Sequence, residues 1–162
     1  MLYDPAFSAG ATKFAAEDSR NVIYPVGKFA ELLLAVDKFN GVEELFINTH
    51  GGPGKLKLAD GTSVTAGSLA IMAKKNPDFV AKDARILFQG CSVGEGATGD
   101  MFMDDVAKAF LMGKGGIVGA ATAGTTDYVL GPIVIEDRLP LWGDLKVYRY
   151  DAAATRVAAV VK

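Results

Sequence analysis

The chain predicts an α/β fold: a three-layer α/β/α sandwich around a mostly parallel sheet, extended at its C-terminal end by antiparallel strands. Three observations carry this expectation. Short apolar runs alternate with helical patterns between residues 21 and 121. Two of those runs, Leu45-Phe46-Ile47 and Ile86-Leu87-Phe88, are apolar at consecutive positions, as strands covered on both faces must be. Glycine follows soon after each and stops it.

Taken in order, the opening reads as irregular, and Asn21 to Val26 reads as a short buried strand. Phe29, Leu32, Leu33 and Val36 then recur at the spacing of one helical face, and Gly41 ends that helix. Val42 to Thr49 supplies a strand leading to His50, and His50-Gly51-Gly52-Pro53-Gly54 reads as a loop that continues no regular element. Lys55 to Leu58 and Thr62 to Val64 flank Ala59-Asp60-Gly61, and Asp-Gly between extended segments predicts a hairpin.

A helix from about Ala66 to Lys75 follows, with Thr65 as its N-cap and Pro77 barring continuation. Ala84 to Gln89 is a strand apolar on both faces. Gly90 to Gly99 leads into a helix whose core face is Phe102, Val106, Ala109 and Phe110, and Ile117 to Ala121 is another buried strand. Beyond Thr122 the alternation stops. Tyr128 to Ile135, Lys146 to Tyr150 and Arg156 to Val161 read as strands without long helices between them, the antiparallel extension.

Composition narrows the function. The 162 residues, half of them hydrophobic, suffice for one core, so residues 1–162 are expected to form a single domain. A net charge of −2 without basic runs argues against nucleic acid or an anionic membrane as partner. No run approaches the roughly 20 apolar residues that span a bilayer, and the start around Asp4 and Pro5 lacks a leader pattern. The single cysteine excludes an intramolecular disulfide and fits a reducing compartment, so a soluble, cytoplasmic protein is expected.

That cysteine, Cys91, and the single histidine, His50, each follow an apolar strand that ends in glycine-rich chain. An ordinary thiol, with a pKa of roughly 8.5, is only a few per cent thiolate at neutral pH, so a neighbouring imidazole would make it a useful nucleophile. In a parallel α/β sheet ligands bind outside the C-terminal strand ends, which is where both residues are expected. Taken singly, a cysteine is more often a small buried hydrophobe and a loop histidine a backbone-bonded one. Their joint position at two strand ends favours the catalytic pair.

The stretches Thr49-His50-Gly51-Gly52-Pro53-Gly54 and Gly90-Cys91, with Ala97-Thr98-Gly99-Asp100-Met101-Phe102 downstream, resemble the caspase-like (clan CD) cysteine peptidases, nearest to compact bacterial domains of that superfamily. The likeness runs from about Asn21 to Thr122. It implies a caspase-like fold and a cysteine endopeptidase acting on a peptide or protein substrate without a cofactor. Cys91 would be the nucleophile, His50 the proton acceptor and donor, and the backbone N–H groups of Gly51 and Cys91 the oxyanion hole. Gln89 resembles the glutamine that lines the substrate pocket in caspases. Arg20 and Arg138 are not fixed there by any motif, and Lys55, Lys57, Lys74 and Lys75 do not define the anionic-activator site of toxin-type relatives.

Other readings remain open from the residues. A caspase-like scaffold without turnover would be a peptide- or protein-binding module. Gly90-Cys91-Ser92-Val93-Gly94 formally matches the Gly-x-Ser-x-Gly elbow of α/β serine hydrolases, whose oxyanion loop His50-Gly51-Gly52-Pro53-Gly54 also resembles; the required histidine after Ser92 is absent. Gly51 to Lys55 fails the phosphate-loop spacing, since Leu56 follows the lysine. Gly113-Lys114-Gly115-Gly116 precedes a strand and reads as a helix stop. One histidine and one cysteine make a poor zinc site, so no metal is expected. Glu95 and Asp100 could shape a pocket for a basic side chain, and Asp127 is equally ambiguous. Asp104, Asp105 and Lys108 read as a solvated helix face.

Overall fold

The computed structural model describes residues 1–122 and 145–159. Among them the strands are β1 (Leu2–Tyr3), β2 (Tyr24–Pro25), β3 (Val42–Asn48), β4 (His50–Gly52), β5 (Lys55–Lys57), β6 (Ser63–Val64), β7 (Val80–Phe88), β8 (Gly116–Ala121), β9 (Leu145–Tyr150) and β10 (Arg156–Ala159). The helices are α1 (Ser8–Glu17), α2 (Phe29–Lys38), α3 (Ala66–Lys75) and α4 (Gly96–Phe110), with a 3-10 turn at Pro5–Phe7.

Among the described residues seven strands share one sheet in the order β2-β1-β3-β7-β8-β9-β10. Every pairing from β2 to β8 is parallel, and β9 and β10 add antiparallel to that edge. The antiparallel extension expected from the change of pattern is therefore present over Leu145–Tyr150 and Arg156–Ala159. The expected strand at Tyr128 to Ile135 lies outside the described residues.

Handedness explains which helix covers which face. The step from β1 through α1 to β2 runs toward one edge of the sheet, whereas the later steps through α2, α3 and α4 run toward the other. With one crossover hand for all of them, α1 must fall on the opposite face from the rest. Alternation along the strands agrees. Leu45, Ile47, Ile86 and Phe88 share a buried cluster with Leu32, Val36, Leu69, Met72, Phe102 and Val106 from α2, α3 and α4. Phe46 and Leu87, pointing the other way, pack with Ala11 and Phe14 of α1.

Several expectations need correction. The opening is not irregular: it holds β1, the 3-10 turn and α1. The predicted strand over Asn21 to Val26 shrinks to Tyr24–Pro25 at the sheet edge, where a proline without an N–H is tolerated. β7 starts earlier than Ala84, at Val80, because Asp83 takes a left-handed conformation (φ 57°) beside a register shift against β3 and lets the strand continue past it. The buried face of α4 also takes in Ala107, and Ala109 is only partly buried.

Other local readings hold. α3 spans Ala66–Lys75, with Thr65 donating its N–H to the Ser68 hydroxyl at 3.3 Å. Gly113 and Gly115, both at positive φ, turn the chain between α4 and β8 as a helix stop does. Among the described residues no helix is long and apolar enough to cross a membrane.

Candidate active site

Register alone brings the two candidate residues to one place. Ile47 of β3 pairs with Phe88 of β7, and the Gln89 N–H donates to the Ile47 carbonyl at 2.9 Å. His50 and Cys91 are each the third residue beyond that pair, on adjacent parallel strands roughly 5 Å apart. Both leave the sheet at its C-terminal edge.

Past the strand ends the two segments stay in contact. A Cβ added at Gly51 would lie 3.0 Å from the Cys91 carbonyl oxygen and 3.2 Å from the Gly90 carbonyl carbon. A Cβ at Gly90 would lie 3.0 Å from the Thr49 carbonyl oxygen and 3.2 Å from that of His50. Each glycine is thus required by close backbone approach rather than by φ. His50 is exposed and Cys91 half-buried, so both lie at or near the surface where these segments meet.

The segment after His50 departs from expectation. His50–Gly52 is a strand, paired antiparallel with Lys55–Lys57, which pairs in turn with Ser63–Val64. Glycine permits this without breaking the ladder, and the tight reversal falls at Pro53-Gly54, where Gly54 has φ 69°. The predicted Asp-Gly hairpin is present between β5 and β6: the Asp60 carboxylate accepts from the Thr62 N–H at 2.9 Å, and Gly61 has φ 84°. Leu56, Leu58 and Val64 anchor this small sheet in the main core, so His50 is carried on a supported ribbon.

Two residues contact His50, and one of them escaped the sequence. The Phe7 ring lies 5.0 Å from the imidazole, tilted by 55°. Thr49 is buried, and its hydroxyl donates to the His50 carbonyl at 3.0 Å. No local pattern reports a contact between Phe7 and a residue 43 positions away, whereas Thr49 belongs to the motif already noted. Nearby, Asp4 is buried at the end of β1: its N–H donates to the Asn48 carbonyl at 2.8 Å and one carboxylate oxygen caps Ala6 at 2.9 Å.

On the cysteine side, Ser92 adopts φ 56°, uncommon for a residue with a side chain, and turns the chain sharply after Cys91. The Gly94 N–H donates to the Ala121 carbonyl at 2.8 Å, tying this turn to the end of β8. Gln89 is 7% exposed at the end of β7, directly before the turn.

Asp100 and Asp104 downstream serve elsewhere, while Glu95 is exposed directly before α4. Asp100 accepts from Lys146 Nζ at 2.7 Å and from the Tyr148 hydroxyl at 2.9 Å. Desolvation pushes its carboxyl up, but those two hydrogen bonds and the nearby cations outweigh it and hold the group below its ordinary value. One turn on, Asp104 accepts from Tyr150 at 2.8 Å and from Arg156 at 2.7 Å, so it is no idle solvated charge. This ladder fastens α4 to β9 and β10. Burial first, then Asp104, drives the Tyr150 phenol well above its usual range.

Arg20 is paired with Asp18 at 2.7 Å. Both line a cavity of about 430 Å³ with Leu2, Tyr24, Val42 and Phe79 at the N-terminal strand ends, and neither His50 nor Cys91 borders it. Lys55 and Lys57 lie on β5, and Lys74 and Lys75 in the last turn of α3, where Lys75 approaches Asp37 at 3.3 Å. Arg138 and Asp127 lie outside the described residues. Among the described residues no group of three or more His, Cys, Asp or Glu side chains could hold a metal ion.

Comparison with known families bears on this segment. A family model described as a domain of unknown function, DUF4347, matches residues 21–127 of the 162. The chain belongs to that family. The DUF4347 match begins just before β2 and contains β3, β7, β8 and both site segments. β1, α1 and the antiparallel strands β9 and β10 fall outside it. No curated protein and no solved structure matches the chain.

Proposed function

We propose that this DUF4347 domain is a caspase-like cysteine endopeptidase in which Cys91 and His50 act as a dyad on an extended peptide segment. The observation that carries the reading is the mutual close approach of Gly51 to Gly90-Cys91 and of Gly90 to Thr49-His50, which joins the chain's only thiol segment to its only imidazole segment.

The chemistry follows from those groups. Cys91 Sγ attacks the scissile carbonyl carbon as the thiol proton passes to His50, and the carbonyl oxygen becomes an oxyanion near the N–H groups of Gly51 and Cys91. The C–N bond then breaks, the amine leaves with the proton from His50, and a Cys91 thioester remains. Water, deprotonated by His50, hydrolyses the thioester and restores the thiol. Each preorganised oxyanion donor is worth about 3 to 4 kcal/mol in well-studied hydrolases. Gln89, at the end of β7, is assigned to the substrate side of the same site, on the resemblance to caspases alone.

The test is hydrolysis of a diverse peptide library by wild type, Cys91→Ala and His50→Ala. Turnover lost in both variants supports the dyad; turnover retained in both rejects it. Iodoacetamide labelling of Cys91 against pH gives a second readout. An imidazole-linked inflection that vanishes in His50→Ala supports the pair, and slow labelling without one favours a docking module.

One observation favours a serine hydrolase instead: Ser92, the central residue of Gly90-Cys91-Ser92-Val93-Gly94, holds the positive φ of a strained turn after a strand. That reading requires activity that survives Cys91→Ala and disappears in Ser92→Ala.

A further inference from the structure

We infer that Val93 is a positioning residue of this site, a wedge that holds the His50 segment and the Cys91 segment in one fixed relation. The activity arm of this inference rests on the peptidase reading above; its other arms do not.

Four observations converge on it. Val93 is fully buried and belongs to the main core. Its Cγ2 methyl is the nearest atom that a Cβ would meet at Gly51, at 2.5 Å, and also at Gly90, at 2.9 Å. One methyl group therefore lies against both glycines, one in each of the two segments. The Val93 carbonyl accepts from the Gly54 N–H at 3.0 Å, fastening the end of the His50 ribbon, while the Val93 N–H donates to the Gly90 carbonyl at 3.5 Å.

The strained turn accounts for how Val93 reaches this place. Ser92 at φ 56° reverses the chain after Cys91, so that the next side chain points back beneath the two glycine segments instead of out to solvent. A side chain with fewer atoms would leave the glycine backbones without a surface to rest on, because interiors are close-packed and small voids forfeit contacts on every wall. Gly51 and Gly90 have no side chains of their own with which to fill the gap. The Gly51 N–H, the assigned oxyanion donor, would then lose its fixed direction, and a 1 Å misplacement is enough to cost about 10²-fold in rate.

The experiment compares Val93→Ala with Val36→Ala, a substitution that removes the same atoms at an equally buried site on α2 away from the two glycine segments. Thermal unfolding, the pH profile of iodoacetamide labelling at Cys91, and kcat and KM on a peptide substrate are measured for both. Val93→Ala is expected to change the labelling rate at least fivefold and to lower kcat about 10²-fold with KM nearly unchanged. Val36→Ala should lower the unfolding temperature and leave labelling and kcat alone, while Val93→Ile, which keeps the Cγ2 methyl, should label as wild type does. Equal behaviour of the two alanine variants overturns the inference.

Hydrogen exchange on the wild-type protein keeps the inference open to refutation even if Val93→Ala does not fold. The Gly54 and Gly94 amides should be protected to a similar degree, since one bonds to Val93 and the other anchors the same turn. Exchange of Gly54 at the rate of an unstructured loop would refute the coupling. A wild type that hydrolyses no peptide would remove the peptidase reading, while labelling and exchange would still decide the role of Val93.

Discussion

Gly99, in the first turn of α4, rests on the main chain of Gly94: a Cβ at Gly99 would come within 2.5 Å of the Gly94 carbonyl oxygen. Because the Gly94 N–H is itself bonded to the Ala121 carbonyl at 2.8 Å, the helix start, the Cys91 turn and the end of β8 are packed against one another. Main chain cannot swing aside as the tip of a side chain can. Gly99→Ala is therefore expected to destabilise by about 1–3 kcal/mol, the usual range for overpacking. Gly67→Ala in α3 makes the opposite prediction, since its Cβ would meet nothing closer than Thr65 Oγ1 at 4.0 Å. There the better helix propensity of alanine should stabilise by up to about 1 kcal/mol. Urea unfolding of both variants checks the sign of each change.

The Phe7 ring, 5.0 Å from His50, limits the orientations that the exposed imidazole can take. Ring pairs of this kind contribute about 0.5–1.5 kcal/mol beyond area burial. On the proposed peptidase reading, Phe7→Ala should lower kcat on a peptide substrate about threefold to tenfold, an effect of that size by transition-state arithmetic, with only a small change in unfolding temperature because Phe7 is not fully buried. Phe7→Leu, which fills space without a ring, separates packing from ring contact. Equal kcat in wild type and both variants would remove Phe7 from the site.

Phe14 reports on the second face of the sheet. It is 4% exposed, and its ring packs on Phe46 at 5.3 Å in the cluster that also holds Leu87 and Ala11. Phe14→Ala is expected to destabilise by about 3 kcal/mol, at the low end for a buried phenylalanine because the void left opens into the cavity at the N-terminal strand ends that Phe14 lines. Denaturant unfolding measures it. A loss below 1 kcal/mol, the scale of an ordinary surface substitution, would mean that α1 is not a structural layer.

Those residues also show where sequence patterns stop. β3 and β7 are legible because both faces are covered and consecutive positions are apolar, and α3 because Thr65, Pro77 and its apolar face agree. α1 escaped because it buries only Ala11 and Phe14 in a run of small residues, and no capping side chain at its start or proline after its end marks where it begins and stops. β1 is two residues long, below any periodicity, and is held by pairing on both sides. In the site, His50, Cys91 and Gly51 announce themselves by residue type and place. Val93 does not, because its burial reads as ordinary core until the contacts with Gly51 and Gly90 are known.

The Asp100 ladder carries a pH dependence whose sign can be stated. Lys146 and Tyr148 hold the carboxylate below its ordinary value against the opposing pull of desolvation. Well above about 3.9, the ordinary aspartate value, native and unfolded chains are both ionised and the full contribution of the cluster is present. As pH falls below that value, the unfolded chain binds a proton that the native chain still refuses, and the contribution is lost on the way down to the native pKa. Solvent reaches a third of the Asp100 side chain, so Asp100→Asn should cost about 1 kcal/mol at pH 7 rather than the 2 or 3 of a fully buried pair. The difference in urea midpoint between wild type and Asp100→Asn should be similar at pH 7 and pH 6 and distinctly smaller at pH 3. A difference that persists unchanged at pH 3 would mean that hydrogen-bond geometry, and not the charge of Asp100, fastens α4 to the antiparallel strands.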